Sequence, residues 1–153
     1  MAAPWFASSQ AKHAVFGNKM GWERPNYFAA DAEAASAAPA FSWGRPSWFE
    51  AQRAEALHTR SAVSLFDQSS FGKFIVQGRE ALAAMQQLCA ADVDTAAGKL
   101  SYTGMLNEFG GYELDCTVTR LAEQQFFVVS GTATAVRDLS WMQRQIKALG
   151  LDA

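Results

Sequence analysis

Asp115 is the residue of this sequence best placed for acid–base chemistry, because it stands in the middle of a strongly patterned segment. The segment follows residues 107–111, whose paired glycines can adopt the positive φ angles that a tight hairpin turn requires. After the turn, Leu114, Cys116 and Val118 alternate with polar residues, which is typical of a strand with one apolar and one polar face. The sequence therefore predicts that Asp115 lies mid-strand on the polar face.

The following strand, residues 126–129, bears on whether that carboxylate is shielded from water. Its four residues are Phe-Phe-Val-Val, so both of its faces are apolar and we expect it to be covered on both sides. A carboxylate on the neighbouring strand would then be covered too, and burying an unpaired charge costs several kcal/mol. Two interpretations stay open: Asp115 belongs to a site, or its face is solvated and the residue is only structural.

Length and composition set the class of protein. The chain has 153 residues, of which 50% are hydrophobic, which suits one domain with its own core. The net charge is −2 and the charges are scattered, so we expect no nucleic-acid partner. The N-terminus has no basic region followed by an apolar run, and no long apolar run occurs elsewhere. We therefore expect no export, no membrane contact and a cytoplasmic location. Cys89 and Cys116 sit among apolar residues, as reduced core thiols do.

The order of elements predicts an α+β fold. Residues 1–46 are aromatic-rich without sustained periodicity, and we interpret them as an arm and linker that packs on its own domain or on another one. Residues 47–153 are predicted to form the domain, which begins with a helix capped by Ser47 and Glu50. The rest reads as one antiparallel sheet flanked by amphipathic helices. Its strands are expected at residues 62–67, 71–76, on both sides of the turn and at 126–129, and its helices at 80–90 and before Gly150.

Other sites with recognisable signatures find little support. Asp92 and Asp94 are better explained by Asx turns than by a metal, which would need more ligands. Neither a dinucleotide-binding nor a P-loop glycine pattern occurs, and no nucleophile stands in an elbow motif. The sequence therefore favours neither nucleotide binding nor hydrolysis.

Four motifs carry a resemblance to a known family. They are GWERPNYF at residues 21–28, SSFGKF at 69–74, YT with LN at 102–107, and the double glycine that leads to Asp115. With them the chain resembles the N-terminal half of the tetrahydrofolate-binding aminomethyltransferase domain. That domain occurs in the glycine cleavage T-protein and in dimethylglycine and sarcosine dehydrogenases, and the first two motifs are similar to the dehydrogenase branch.

The resemblance implies a folate site. It implies that Asp115 contacts the reduced pterin and is the catalytic acid/base candidate when the folate amine captures a one-carbon unit. Pterin-lining positions of the family fall on five residues of this sequence, Phe71, Tyr102, Thr117, Phe127 and Val129. Phe127 departs from relatives that carry Tyr there, and Leu114 departs from the T-protein, which has a second acid. The implied cofactor is tetrahydrofolate, whereas FAD belongs to a domain that this chain lacks.

The resulting functional hypothesis is a piece of a folate-dependent demethylating flavoenzyme, similar to dimethylglycine or sarcosine dehydrogenase. Its domain would bind tetrahydrofolate and transfer to it a one-carbon unit from an oxidised methylamine. We expect the chain to be catalytically incomplete alone, because half of the family's pocket comes from a second half of the domain. Two alternatives remain: a self-standing folate-binding or interaction module that another chain completes, and a non-functional truncation.

Overall fold

The computed structural model describes residues 2, 4–37, 41 and 43–153. Contacts divide the chain between Ser70 and Phe71 into two units, residues 1–70 and 71–153. The division into an arm of residues 1–46 and a domain of residues 47–153 remains a prediction, and the contact boundary lies at a different place. Within the described residues, no helix is long and apolar enough to cross a membrane.

The first unit contains a β-hairpin. Its helices are α1 (Phe6–Gln10), α2 (Ala32–Ser36) and α3 (Phe49–Ser61), and its strands are β1 (Ala14–Lys19) and β2 (Trp22–Phe28). Strands β1 and β2 pair antiparallel through a turn at Met20 and Gly21, which both have positive φ. The sequence does not indicate this hairpin, because turns of this kind usually carry Asn-Gly or Asp-Gly. In addition, Gly17 and Pro25 interrupt the alternation of polar and apolar residues along the strands. Residues 14–19 and 22–28 thus form regular strands although their sequence lacks sustained periodicity.

Two expectations fail in this unit. Helix α3 begins after Trp48, not Ser47, and it has no side-chain cap. Glu50 instead pairs with Arg53 at 3.5 Å, so the capping box does not form. Residues 62–67 are not a strand. A strand needs a neighbour for its backbone hydrogen bonds, and a short apolar run does not reveal whether one is present.

The second unit confirms the predicted α+β class. Its elements are β3 (Gly72–Gln77), α4 (Ala81–Leu88), β4 (Leu100–Leu106), β5 (Tyr112–Ala122), β6 (Gln125–Ser130) and α5 (Ala135–Leu149). The four strands form one sheet in the order β3-β6-β5-β4, and every neighbouring pair is antiparallel. The links from β4 to β5 and from β5 to β6 are short hairpin connections, whereas the connection from β3 to β4, which contains α4, runs from one edge of the sheet to the other.

One face of this sheet carries the core. Phe126 and Val128 on β6 are completely buried, and they belong to a cluster that includes Met85 of α4 with Trp141 and Met142 of α5. Leu114, Cys116 and Val118 of β5 join the same cluster, as the period-two pattern predicts. Both helices of the unit thus pack on this face, and we call the opposite face of the sheet the open face.

The two cysteines are free and buried, and both belong to the core cluster as predicted. Desolvation raises the pKa of Cys89 to about 12, and the charge of a Cys116 thiolate would add to that rise. Desolvation likewise raises the pKa of Cys116 to about 12, with contributions from Asp115 and Asp138. Both thiols therefore stay protonated at neutral pH and are poor nucleophiles.

The predicted hairpin turn between β4 and β5 is confirmed. Gly110 has a φ of 79°, in the left-handed region that glycine adopts without steric cost. The Asn107 side-chain oxygen accepts hydrogen bonds from the backbone N–H groups of Phe109 at 3.1 Å and Gly111 at 2.9 Å. These bonds fix the geometry with which the chain enters β5 and hence the register of Asp115.

The Asx-turn interpretation of the acidic loop is confirmed as well. The Asp92 carboxylate accepts the backbone N–H of Asp94 at 2.9 Å. Arg120, which is mostly buried, contacts the Asp94 carboxylate at 2.5 Å and donates to the Thr95 carbonyl at 2.7 Å. Within residues 2, 4–37, 41 and 43–153, no group of three His, Cys, Asp or Glu side chains is arranged to hold a metal ion.

Candidate functional site

The open face carries five of the six predicted site residues. Tyr102 of β4 pairs with Thr117 of β5, which in turn pairs with Val129 of β6. Phe127 lies two residues before Val129 on β6, and Asp115 lies two residues before Thr117 on β5, so both share that face. Three strands therefore bring these side chains together, although up to 27 positions separate them along the chain.

The two polar groups of this set form a direct contact. The Tyr102 hydroxyl donates a hydrogen bond to Oδ2 of Asp115, with a distance of 2.9 Å. Gly104 stands opposite Asp115 in the ladder, and Tyr102 is therefore its diagonal neighbour across the strands. This arrangement holds one carboxylate oxygen in a defined position and leaves the other oxygen free of protein donors in the described structure.

The expectation that the face of Asp115 is covered is wrong. Asp115 is exposed and Tyr102 is 70% exposed, whereas Phe127 and Val129 are half-buried. The reason is that α4 and α5 both pack on the opposite face, so no helix of residues 71–153 lies above the apolar residues of β6 that face away from them. Solvation therefore explains how a charged carboxylate is tolerated here without a cationic partner.

The hydrogen bond to Asp115, together with the negative charge of that carboxylate, raises the pKa of Tyr102 above its ordinary value of 10.0. Replacing Asp115 with Asn removes the charge, so we expect the pKa of Tyr102 to fall toward that value. Titration of the Tyr102 ring carbons by NMR measures this shift. Because the folded-state pKa is raised, the contribution to stability is present below about pH 10 and is lost as the pH rises through the folded-state value.

A matched control for this titration is Glu108→Gln. Glu108 is an exposed acid of the hairpin turn, and its change also removes one negative charge near β5. We expect the pKa of Tyr102 to be the same in this variant as in the unchanged protein. An equal fall in both variants would show that net charge, and not the contact with Asp115, sets the Tyr102 pKa.

Apolar groups form the floor beside this polar pair. Phe127 pairs with Thr119 on β5 and Val129 pairs with Thr117, so rings and methyl groups alternate across the middle strands. The threonine hydroxyls add polar atoms to an otherwise apolar surface. The sixth predicted residue, Phe71, lies directly before β3 and outside the sheet, and its carbonyl accepts a hydrogen bond from Lys73 at 3.0 Å.

The open face also carries residues that were not among the predicted site residues. Lys73 and Ile75 of β3 extend the rows of Val129 and Phe127 to the sheet edge. The period-two pattern of β3 contains the signal for both, since Val76 takes the core face. The ring of Tyr112 occupies the space that a Cβ on Gly104 would take, and a bulge between Met105 and Leu106 disrupts the local alternation. No sequence pattern indicates that placement.

The arrangement suits a flat ligand that carries N–H donors. The Asp115 carboxylate can accept a hydrogen bond or a proton from a ring or amine nitrogen. The apolar floor of Phe127 and Val129 can bury one side of a ring system, and the exposed Tyr102 and Tyr112 rings border the same area. The negative charge of the Asp115 carboxylate favours donors that carry a positive charge.

Comparison with known proteins gives the family. The family model described as the GCVT N-terminal domain matches residues 6–153. A mouse protein, the mitochondrial pyruvate dehydrogenase phosphatase regulatory subunit, is 35% identical over 94% of this chain and 17% of its own length. The formaldehyde-forming 4-methylaminobutanoate oxidase of Paenarthrobacter nicotinovorans is 39% identical over 86% of this chain and 16% of its own length. Human mitochondrial dimethylglycine dehydrogenase is 27% identical over 89% and 15%.

The fold agrees with that of a solved structure. The glycine cleavage system aminomethyltransferase T of Bartonella henselae superposes with a TM-score of 0.75 and 24% identity, over 95% of this chain and 35% of that chain. The chain thus spans about a sixth of the length of the three curated relatives named above. The resemblance inferred from the sequence motifs is confirmed, and the chain belongs to the GCVT N-terminal domain family.

Proposed function

We propose that the open face binds a reduced folate and that Asp115 takes part in the transfer of a one-carbon unit to it. The observation that carries this proposal is the contact between Tyr102 and Asp115 at the border of an apolar floor. The names of two relatives add support, since one is a formaldehyde-forming oxidase of a methylamino compound and another is a dehydrogenase of dimethylglycine. The proposed donor of the one-carbon unit is therefore an oxidised methylamine.

The residues present fit tetrahydrofolate. A reduced pterin has a ring with N–H donors, which matches the exposed carboxylate of Asp115, and an apolar side that matches the floor of Phe127 and Val129. When bound, tetrahydrofolate would supply the amine nitrogens that accept the one-carbon unit. Asp115 would then hold an N–H of the ligand and accept its proton as the nitrogen forms the new bond. Tyr102 would orient the carboxylate through its hydroxyl.

In this proposal the chain is one part of a demethylating flavoenzyme. Oxidation of the methylamine would take place at a flavin held by other residues, which is consistent with the lack of a dinucleotide-binding glycine pattern in this sequence. The open face leaves one side of the ligand in water, so we propose that a second half of the domain, or a second chain, completes the pocket. A cytoplasmic location and the absence of a membrane partner stay predictions.

The direct test is NMR mapping of reduced-folate binding to the chain. Labelled protein is titrated with 5-formyltetrahydrofolate, a chemically stable reduced folate, and amide shifts are recorded. Binding on the open face should move the signals of Tyr102, Asp115, Thr117 and Phe127 and leave the buried signal of Phe126 unchanged, because Phe126 faces the core. NMR also detects binding in the millimolar range, which a half-open site requires.

A second ligand makes the mapping specific. The fragment p-aminobenzoylglutamate lacks the pterin, so it should not move the Asp115 signal if the carboxylate recognises ring N–H groups. Shifts confined to other surfaces would contradict the proposal. A chain that binds no folate at millimolar concentration would favour the alternative of an interaction module, for which the relative named as a phosphatase regulatory subunit is the precedent.

A further inference from the structure

We infer that Arg137 is a positioning residue that holds the part of β5 on which Asp115 stands. Its guanidinium donates from Nη2 to the backbone carbonyl of Glu113, which lies two residues before Asp115. Arg137 belongs to α5, 24 positions away along the chain, so the bond joins a helix to the strand that carries the site. The functional consequence of this inference rests on the folate-binding function proposed above.

The sheet leaves a vacancy that Arg137 fills. Strand β6 ends at Ser130, which pairs with Cys116 of β5. The part of β5 before Cys116 is therefore without a β6 partner on that side, while β4 continues to pair with it as far as Tyr112. Backbone carbonyls that lack a strand partner need another donor. The guanidinium of Arg137 supplies that donor where the neighbouring strand stops.

A buried carboxylate orients the guanidinium. Asp138 is 1% exposed, and its Oδ1 lies 3.4 Å from both Nε and Nη2 of Arg137. Its other oxygen, Oδ2, accepts a hydrogen bond from the Thr134 hydroxyl with a distance of 2.7 Å. A buried charge requires partners, and here they are Thr134, directly before α5, and Arg137, in the first turn of α5. A chain of contacts therefore connects α5 to β5, and it runs from Thr134 through Asp138 and Arg137 to Glu113.

The same strand segment is held at its other side by the hairpin turn. Asn107 donates from Nδ2 to the Glu113 side chain with a distance of 3.1 Å. Glu113 is therefore fixed through its side chain by the turn and through its carbonyl by Arg137, and Asp115 is fixed by Tyr102. Of these contacts, the one from Arg137 is the only one that comes from the helical layer among the described hydrogen bonds of Glu113 and Asp115.

The test compares Arg137→Met with Arg144→Met and Arg137→Lys. Methionine keeps the unbranched apolar stem and removes the donors, whereas lysine retains one donor for the Glu113 carbonyl. Arg144 lies on the same helix and is exposed, so its change removes an equal charge without touching β5. The variants are measured as the whole chain, by amide hydrogen exchange, by NMR titration of Tyr102 and by titration with 5-formyltetrahydrofolate.

Arg137→Met should accelerate hydrogen exchange at Leu114 and Asp115 and shift the Tyr102 titration toward that of the Asp115→Asn variant. It should also weaken folate binding about threefold to tenfold, the effect of one net hydrogen bond. Arg137→Lys should recover part of each change, and Arg144→Met should show none. Exchange and Tyr102 titration equal to those of Arg144→Met would overturn the inference, even if the melting temperature falls.

The ligand-free measurements keep this inference separate from the proposed function. If the unchanged chain binds no reduced folate, the proposed function fails, while hydrogen exchange and the Tyr102 titration still decide whether Arg137 positions Asp115. If folate binds and Arg137→Met weakens it without altering those two measurements, then Arg137 does not act through Asp115 and the inference is wrong.

Discussion

Replacing Asp115 with Asn is expected to cut one-carbon transfer to tetrahydrofolate about tenfold to 150-fold, because a charge-assisted hydrogen bond contributes roughly 1.5–3 kcal/mol. Asparagine keeps the shape of the side chain but loses the charge, and one of its two acceptor oxygens becomes a donor. A group that must accept an N–H hydrogen bond and a proton cannot do so equally well as an amide. The contact with Tyr102 can persist through the remaining oxygen, so the fold should be retained.

The measurement is best made in a full-length relative, at the residue that aligns with Asp115. Three quantities are recorded side by side: flavin reduction by the methylamine, formation of methylene-tetrahydrofolate, and the free energy of unfolding. We expect only the second to fall. In the present chain, the same substitution should weaken binding of 5-formyltetrahydrofolate, and Glu108→Gln should leave it unchanged.

Equal losses in all three quantities would mean that Asp115 is structural. No loss in any of them would mean that it is a solvated surface residue, which was the second interpretation of the sequence. Either result would remove Asp115 from the site, although the family assignment would stand, since it rests on the match over residues 6–153.

The relative placement of the site residues was predictable from the sequence because a strand has a fixed period of two. Once Leu114, Cys116 and Val118 are assigned to the core, Asp115 and Thr117 must face the other way. The same argument applies to Phe127 and Val129 beside the fully buried Phe126 and Val128. The pattern does not show which residues of different strands stand opposite one another. That information comes from the register of the strand pairs in the structure.

Two features of the site could not be predicted, for physical reasons. An apolar residue pattern reports what a face can bury but not whether another layer covers it, so the shielding of Asp115 was wrongly expected. The burial of Asp138 was also missed, because a charged residue in the first turn of a helix is ordinarily a solvated one that favours the helix dipole. Its partners Thr134 and Arg137 become meaningful only when β5 lies beside α5.

Replacing Phe126 with Ala is expected to lower the free energy of unfolding of residues 71–153 by about 3–5 kcal/mol, the usual cost of emptying a phenylalanine site in a core. Phe126 is 0% exposed and belongs to the cluster formed by the sheet with α4 and α5. The Arg120 guanidinium also lies 5.8 Å from the centre of its ring, so the loop that Arg120 holds should loosen too. Urea unfolding followed through the amide exchange of β6 measures the loss for this unit.

The next residue gives a matched control, because Phe127 differs from Phe126 only in the sheet face that it occupies. Phe127→Ala removes the same group from the half-buried open face, so it leaves no enclosed cavity and its cost should stay below about 1.5 kcal/mol. Its effect should fall instead on 5-formyltetrahydrofolate binding, since the floor beside Asp115 loses its ring. Phe126→Ala should instead lower stability strongly, while the molecules that remain folded bind 5-formyltetrahydrofolate normally. Similar losses of stability from both changes would mean that the open face is a second core, and a Phe127→Ala chain that binds folate normally would mean that the ligand does not lie on this floor.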